Sequence, residues 1–503
     1  MDSMQGILVG LAHAATPMNL LFCFIGVALG TAVGVLPGLG PTATISLLLP
    51  ITFRMEPASA VIMLAGIYYG AMYGGSITSI LIRVPGEAAS VITCIDGYEM
   101  ARQGRAGKAL GMAAFASFIA GILSVFGMAL VGPVLARASY SFGPVEISAL
   151  VVLGLVMVVM ISSQSSLRAL AMVALGLLLS TVGQDFVSGA ERFTFGVATL
   201  TDGLGVAVMA IGLFGISEIL VLAAEREDKR TVIASPRSTR ELLPDRADWR
   251  AAAGPIGRGS ALGFFLGLLP GAGALVASFA SYVIEKKMAR DPSRFGKGAI
   301  EGVAGPEAAN NAAAQSAFIP LLSLGIPSNA VMGVVLGALM IQGVAPGPKL
   351  ATDRPEIFWG VIASMLFGNL ILIILNVPLV RVFVSLLRMP TALLAPAILL
   401  FCTVGAYSAN NSMVDVAIAM ACGVLGYALR RNGFDPVPLL IAFVLGGILE
   451  KTVRQSLLIG YGSPAVYLDR PIAFALLLAA AAMLCFPLVR KALAARFPAS
   501  STS

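Results

Sequence analysis

Charge is what this sequence lacks most. Only 12% of its 503 residues are Asp, Glu, Lys or Arg, against roughly 25% in an ordinary soluble domain. Histidine is nearly missing as well: the one residue is His13, which leaves no material for histidine acid–base chemistry or histidine metal clusters. Five cysteines, Cys23, Cys94, Cys402, Cys422 and Cys485, are scattered without metal-ligand or disulfide spacing, and inert buried thiols are the expectation. No Walker-type phosphate loop occurs, which argues against ATP hydrolysis by this chain. Paired aspartate motifs, zinc ligands and a serine–histidine set are also wanting, so neither an enzyme nor a cofactor is expected. No Lys or Arg precedes Arg54, so the basic n-region of a cleavable signal peptide is missing.

Apolar residues fill the space that charge leaves. They make up 58% of the chain, and the mean hydropathy is +0.91. Runs of about 20 apolar residues, the length that crosses a bilayer, recur from end to end. The net charge of +7 then reads as basic residues gathered in cytoplasmic loops, not as a nucleic-acid signal. The expected fold is an all-α polytopic membrane protein in a lipid bilayer.

One run is interrupted. Gly34-Val35-Leu36-Pro37-Gly38-Leu39-Gly40 sets a proline and three glycines where a span should continue, and Gly267-Leu268-Leu269-Pro270-Gly271-Ala272-Gly273 repeats the pattern. The same offset of 233 residues pairs Gly26 with Gly259, Ala28 with Ala261, Leu29 with Leu262 and Gly30 with Gly263. Two copies of one unit follow: residues 1–224, with a broken hairpin at about 18–53, and residues 259–503, with a hairpin at about 259–284 and an extra C-terminal helix. Between them, 225–258 holds eight basic residues and Pro236, Pro244 and Pro255, which predicts a cytoplasmic linker.

Candidate spans lie near 58–82, 109–134, 145–162, 167–183 and 203–223, then near 302–325, 357–380, 391–409, 411–429, 436–453 and 470–489. With the hairpins this predicts about 11–12 transmembrane helices plus re-entrant or broken pieces, and 326–356 has room for one more piece. Arg102, Arg105 and Lys108 place their loop in the cytoplasm; Asp185, Glu191 and Asp202 then fall outside, and the C-terminus inside. Lys451 and Arg454 fit that count less well. Five spans between the hairpins make the repeats inverted, a transporter layout with its site at the repeat interface.

Backbone groups freed at a break are tolerated only against protein or a watery cavity. The N–H groups at a half-helix N-terminus suit a carboxylate, and unwound carbonyls suit a cation. Candidates for substrate or cation binding are therefore Pro37, Gly38, Gly40, Thr42 and Thr44 at the first break, and Pro270, Gly271 and Gly273 at the second. The four-spaced Gly26, Gly30 and Gly34 read as a packing face. Further on, Tyr68 to Ser79 puts tyrosines, hydroxyls and glycines in one span, followed by Val84-Pro85-Gly86-Glu87. Tyr73, Gly74, Gly75, Ser76 and Thr78 then face a polar pathway, the alternative being an interfacial aromatic belt. The second copy offers Glu307, Asn310, Asn311, Gln315 and Ser316, then Pro327, Ser328 and Asn329 after Leu324-Gly325-Ile326. The amides both donate and accept without the cost of a buried charge. Glu307 reads equally as a proton carrier or as a helix-start charge at the interface.

Taken together, Gly34-Val35-Leu36-Pro37-Gly38-Leu39-Gly40, Tyr73-Gly74-Gly75 with Pro85-Gly86, and Pro306-Glu307 with Asn310-Asn311-Ala312 and Leu324-Gly325-Ile326-Pro327 resemble the large membrane subunit of the tripartite tricarboxylate transporters, the TctA family. The resemblance covers nearly the whole chain. One departure is Ser328-Asn329, where the family pattern more often has glycine. Membership implies a bacterial inner-membrane permease that works with a small four-helix membrane subunit and a periplasmic solute-binding protein. It implies uptake of a tricarboxylate or another organic carboxylate, driven by H⁺ or Na⁺ and not by ATP. A channel, or an ion-coupled carrier that needs no binding protein, is the alternative.

Overall fold

The structure is a computed structural model and describes residues 3–36, 39–139, 141–161, 165–185, 187–224, 238–269, 273–347, 349–386 and 391–496. It is 80% helical. In chain order the first helices are α1 (Ser3–Ala14), α2 (Pro17–Gly34), α3 (Pro41–Leu48), α4 (Pro57–Ile82), α5 (Thr93–Met100), α6 (Ala106–Ser139), α7 (Pro144–Ile161) and α8 (Ser166–Leu179). After a two-residue β-hairpin, Gly183–Gln184 paired with Glu191–Arg192, come α9 (Val206–Ala210), α10 (Ser217–Ala224), α11 (Arg246–Gly267), α12 (Gly273–Met288), α13 (Glu301–Ser316), α14 (Phe318–Leu324) and α15 (Ala330–Ile341). The rest are α16 (Leu350–Asp353), α17 (Pro355–Asn376), α18 (Val380–Leu386), α19 (Thr391–Asn410), α20 (Met413–Arg431), α21 (Val437–Ile459) and α22 (Pro471–Arg496). Among the described residues five helices are long and apolar enough to cross a membrane, and further apolar helices are shorter.

Two compact units form. The larger holds Met1–Ser139 and Gly205–Asn432, the smaller Tyr140–Leu204 and Gly433–Ser503. Compactness thus groups the chain differently from the sequence repeat, which concerns ancestry and not contact.

In the larger unit each glycine stripe is spent on close helix packing. A Cβ on Gly30 would lie 2.7 Å from the Cα of Ile67 on α4, and one on Gly263 would lie 2.7 Å from the Cα of Ala309 on α13. Gly34 against Ala71 and Gly267 against Ala313 repeat this at 2.6 Å. Helix α4 answers with its own stripe, Gly66, Gly70 and Gly74, against the backbone of α2. Such contact lets dispersion and weak polar contacts act between backbones where lipid gives no hydrophobic drive. The pairs α2–α4 and α11–α13 are therefore built alike. In the second copy a bidentate ion pair, Arg258 to Glu285 at 2.9 and 2.5 Å, also ties α11 to α12.

One detail differs from the expected organisation and one agrees with it. Residues 246–258, assigned to the linker, are helical. Asp245 accepts from the N–H groups of Ala247 and Asp248, while Asp248 accepts from that of Asp245, a reciprocal cap that starts α11. Residues 326–356 contain α15, whose first ten residues are buried, in the place where an extra piece was expected.

In the smaller unit α21 packs on α7 and α8, and α22 packs on α7. Arg454 reaches Asp185 at 2.7 Å and Glu450 at 2.7 Å, while Arg192 reaches Glu450 at 2.9 Å. These ion pairs account for a basic residue that fits the loop count poorly. Arg454 is matched by acidic partners at its own end of the unit. Its guanidinium, with two backbone N–H groups, holds the Asp185 carboxyl well below the usual carboxylate range.

Candidate functional site

Residues 58–81 of α4 and residues 302–316 of α13 are all buried. Their polar side chains therefore face protein, since in lipid they would go unsatisfied. On α13 the polar positions Glu307, Asn310, Asn311 and Gln315 recur at helical spacing and share one face. That burial argues against two of the alternatives. Tyr68, Tyr69 and Tyr73 are at most 2% exposed, which no interfacial belt would be. Glu307 has no exposure and stands well inside a helix that begins at Glu301, so it is no helix-start charge.

Glu307 is met from the first copy. The Ser76 hydroxyl lies 2.8 Å from each carboxylate oxygen, and the Thr93 hydroxyl donates to one of them. Asn311 donates to Ser117 of α6 at 2.7 Å. Gln315 and Asn369 of α17 exchange amide hydrogen bonds at 3.0 and 3.3 Å. Glu307, Ser76 and Thr93 thus form one buried polar cluster, with Asn311 one turn further along α13.

Beside it, two loops repeat one construction 242 residues apart, the interval that also relates Ile67 to Ala309. Arg83 ends α4 in the left-handed region (φ 58, ψ 25), and Gly325 ends α14 the same way (φ 71, ψ 21). Val84-Pro85-Gly86-Glu87 and Ile326-Pro327-Ser328-Asn329 follow. Glu87 and Asn329 are then extended and cap the next helical segment, accepting from Ala89 N–H at 2.8 Å and Met332 N–H at 2.9 Å. Each loop also touches the polar helix of the other copy. The Asn310 amide donates to Glu87 at 2.9 Å, and the Asn329 amide donates to the Tyr68 hydroxyl at 3.3 Å. Tyr68 and Asn310 correspond at the same 242-residue interval, so the two contacts are exchanged copies. Reciprocal exchange of this kind is the mark of a local two-fold axis.

Other sequence candidates have local roles. Thr44 bonds back to the Gly40 carbonyl at 3.0 Å, and the Thr42 carbonyl accepts from Ser46. Thr78 bonds to the Gly75 carbonyl, Tyr73 to the Leu110 carbonyl and Ser316 to the Ala313 carbonyl. Gly74 packs on α2, and a Cβ on Gly75 would meet Glu87. Gly273 opens α12 with φ +51. The Ser328 hydroxyl is buried and finds no partner. Pro37, Gly38, Pro270 and Gly271 lie outside the described residues.

Sequence reasoning missed several groups. Glu87, Ser117 and Asn369 are single polar residues whose partners are far along the chain. Asp96 is another: fully buried, it accepts N–H bonds from Gly296, Gly298 and Ala299 at 2.9, 2.8 and 2.9 Å and a bond from the Tyr282 hydroxyl at 2.9 Å. It clasps α5 to the connection before α13. The signal available for all four was a polar side chain within or beside an apolar run.

The TctA family model of tripartite tricarboxylate transporters matches residues 20–441. An uncharacterised 52.8 kDa protein from the TAR-I ttuC′ 3′ region of Agrobacterium vitis is 49% identical over 477 residues, 95% of this chain and 94% of that protein. An uncharacterised protein from the TAR-II ttuC′ 3′ region of the same organism is 52% identical over 215 residues, 43% of this chain and 89% of that protein. No solved structure matches. The matched stretch spans both broken segments and both exchanged loops, and on that breadth of similarity the chain belongs to the TctA family of tripartite tricarboxylate transporters.

Proposed function

We propose that this multi-pass membrane protein is the permease subunit of a secondary transporter that imports a tricarboxylate or related organic carboxylate, driven by H⁺ or Na⁺. A periplasmic binding protein delivers the substrate, and a small four-helix membrane subunit completes the complex in the bacterial inner membrane. The C-terminus lies in the cytoplasm. The observation that carries this reading is the exchanged pair of Pro-containing loops, which builds one buried polar region from both copies. Inverted repeats that share a central site are the layout of many secondary transporters. The amides of α13 and the helix N-termini at the breaks supply the N–H donors that a carboxylate wants. Alternating access then follows from movement of the broken hairpins against the surrounding helices. Cross-links that fix the hairpins to those helices should stop uptake; transport that survived them would exclude the motion.

Uptake into proteoliposomes tests the whole reading. Radiolabelled carboxylates are offered with and without the binding protein, and with and without each ion gradient. Saturable uptake that needs both is expected. Flux that neither saturates nor needs the binding protein would mean a channel. Asn311→Ala should abolish uptake while the protein still inserts, because Asn311 bonds to Ser117 and to the Glu307 carbonyl. Normal uptake by that variant would remove the asparagine cluster from the site.

A further inference from the structure

The two exchanged loops are alike in backbone and unlike in charge. At one crossing Asn310 meets the carboxylate of Glu87; at the other, Asn329 meets the phenol of Tyr68. Glu87 accepts the backbone N–H groups of Ala89 and, through its capping box, of Ser90, and the amide N–H of Asn310. The charged group that acts on it is Glu307, a second carboxylate, and Tyr68 is the other titratable neighbour. Among the described residues no basic side chain pairs with either glutamate. Glu307 at least receives hydroxyls from Ser76 and Thr93. Glu87 has only neutral N–H donors, from Ala89, Ser90 and Asn310.

A second observation lies on the same amide. Asn310 is 1% exposed, and while its nitrogen bonds to Glu87, its Oδ1 has no hydrogen-bond partner. A buried carbonyl left unpaired costs about 1–3 kcal/mol. The two atoms of one planar amide are only about 2 Å apart, so this orphan oxygen stands beside the carboxylate. A buried carboxylate with no basic partner and an unsatisfied oxygen are met together by one positive particle.

We propose that Glu87 and Asn310 bind the coupling cation, a sodium ion or a proton, at the first of the two exchanged loops, while the Tyr68–Asn329 crossing has no carboxylate and binds none. A sodium ion bridges the Glu87 carboxylate and Asn310 Oδ1. A proton taken from the periplasmic side converts Glu87 to the acid, and Asn310 turns its amide so that Oδ1 accepts from the new O–H; the proton leaves to the cytoplasm and the carboxylate is restored. In both cases loading removes a net charge from the loop that touches α13. The proposal rests on the cation-driven reading of the transporter, and its test needs neither substrate nor binding protein.

The purified full chain is titrated with NaCl against choline chloride at alkaline pH, and separately from alkaline to acid pH without sodium. Thermal stability and ²²Na⁺ binding report the sodium arm; the carboxylic-acid band in infrared difference spectra reports the proton arm. A saturable response is expected in one arm. It should be weakened at least about tenfold, or lost, in Glu87→Gln and in Asn310→Leu. It should be kept in Glu87→Asp, which retains the carboxylate, and in the exposed control Asp245→Asn. Equal helicity and monodisperse elution of the variants separate loss of the ion from loss of fold; if Glu87→Gln fails to fold, Asn310→Leu with Glu87→Asp decides. An undiminished response in Glu87→Gln, or one lost in Glu307→Gln and kept in Glu87→Gln, would overturn the assignment and leave cation coupling standing. No response to either ion in the wild type would overturn both.

Discussion

Asp96→Ala is the substitution whose cost follows most directly from the structure. Oδ1 collects three backbone N–H groups from a connection in which Gly296 and Gly298 hold φ of +84 and +94. Oδ2 accepts from Tyr282 of α12. The bonds from Gly298 and Ala299 are buried, and that from Gly296 is partly so. Alanine leaves these donors facing nothing, at about 1–3 kcal/mol for each buried one. Water reaches the Gly296 end, so the total is about 3–6 kcal/mol. Asparagine keeps one carbonyl oxygen for the three donors and loses only their charge assistance. The Tyr282 hydroxyl turns from donor to acceptor of the new amide. That variant should lose about 1–2 kcal/mol, and Tyr282→Phe about 1 kcal/mol. Thermal inactivation of the purified protein, scored by monodisperse elution after heating, should rank wild type above Tyr282→Phe and Asp96→Asn, with Asp96→Ala far below. If alanine and asparagine were equally harmful, the backbone N–H groups would not be what Asp96 holds.

The glycine stripes make a paired prediction. Gly30→Leu should prevent folding or insertion, because its Cβ would lie 2.7 Å from backbone of α4, whereas Gly257→Ala on α11 meets nothing within 4 Å and should gain roughly 0.8–1 kcal/mol of helix propensity; folded yield on membranes checks both. Acid should loosen the cap of α11. Lys108 lies 2.6 Å from Asp245 and draws its carboxyl down to about 2. A lowered folded-state value stabilises above the unfolded value near about 3.9 and is lost as pH falls from there toward 2. Lys108→Met should therefore narrow the stability difference between about pH 5 and about pH 2.5 in a thermal scan. Finally, in a cysteine-free background, Ser188→Cys should react with a membrane-impermeant thiol reagent on intact cells, and Gln103→Cys only after permeabilisation; the reverse pattern would invert the orientation.

The helices were legible because they rest on local signals. Apolar length marked the spans, and the doubled Pro-Gly-x-Gly core marked the copies. The capping residues Asp245 and Asp248 were legible in principle, yet the prolines and charge around them read as linker. What stayed hidden needs the third dimension. Nothing near Glu87 in the chain announces Asn310, which lies in the other copy, and Asp96 finds its donors in the connection holding Gly296 to Ala299. Gly74 and Gly75, read as ligand positions, make room for α2 and for Glu87, which needs the partner elements to be seen.

The exchanged loops also suggest why two copies of one unit were kept so similar in backbone while their side chains diverged. Close packing of glycine on backbone fixes the spacing of α2 on α4 and of α11 on α13 to within a few tenths of an ångström, because a helix has no side chain to yield there. A Cβ added at either glycine of a pair would meet the facing Cα at the same distance, 2.7 Å for Gly30 and Gly263 and 2.6 Å for Gly34 and Gly267, which is the trace of that constraint. The loops that follow inherit it, each opening on a left-handed residue, Arg83 or Gly325, and closing on a capping residue, Glu87 or Asn329. Their remaining side chains are free of it. Glu87 can carry charge where Asn329 carries none, and Asn310 can bring an amide where Tyr68 brings a phenol. A symmetric frame with an asymmetric filling has one practical consequence for a two-state machine. The backbone of each copy can take the other's pose at little cost, while the charge sits at one crossing alone. An ion at that crossing biases the two poses differently, which is the differential interaction any ligand-driven shift requires. Swapping the pair, with Glu87→Asn and Asn329→Glu in one chain, should therefore move the ion response to the other crossing and make it depend on Tyr68. Loss of the response with the fold intact would show instead that the surroundings of Glu87, and not the charge alone, define the crossing.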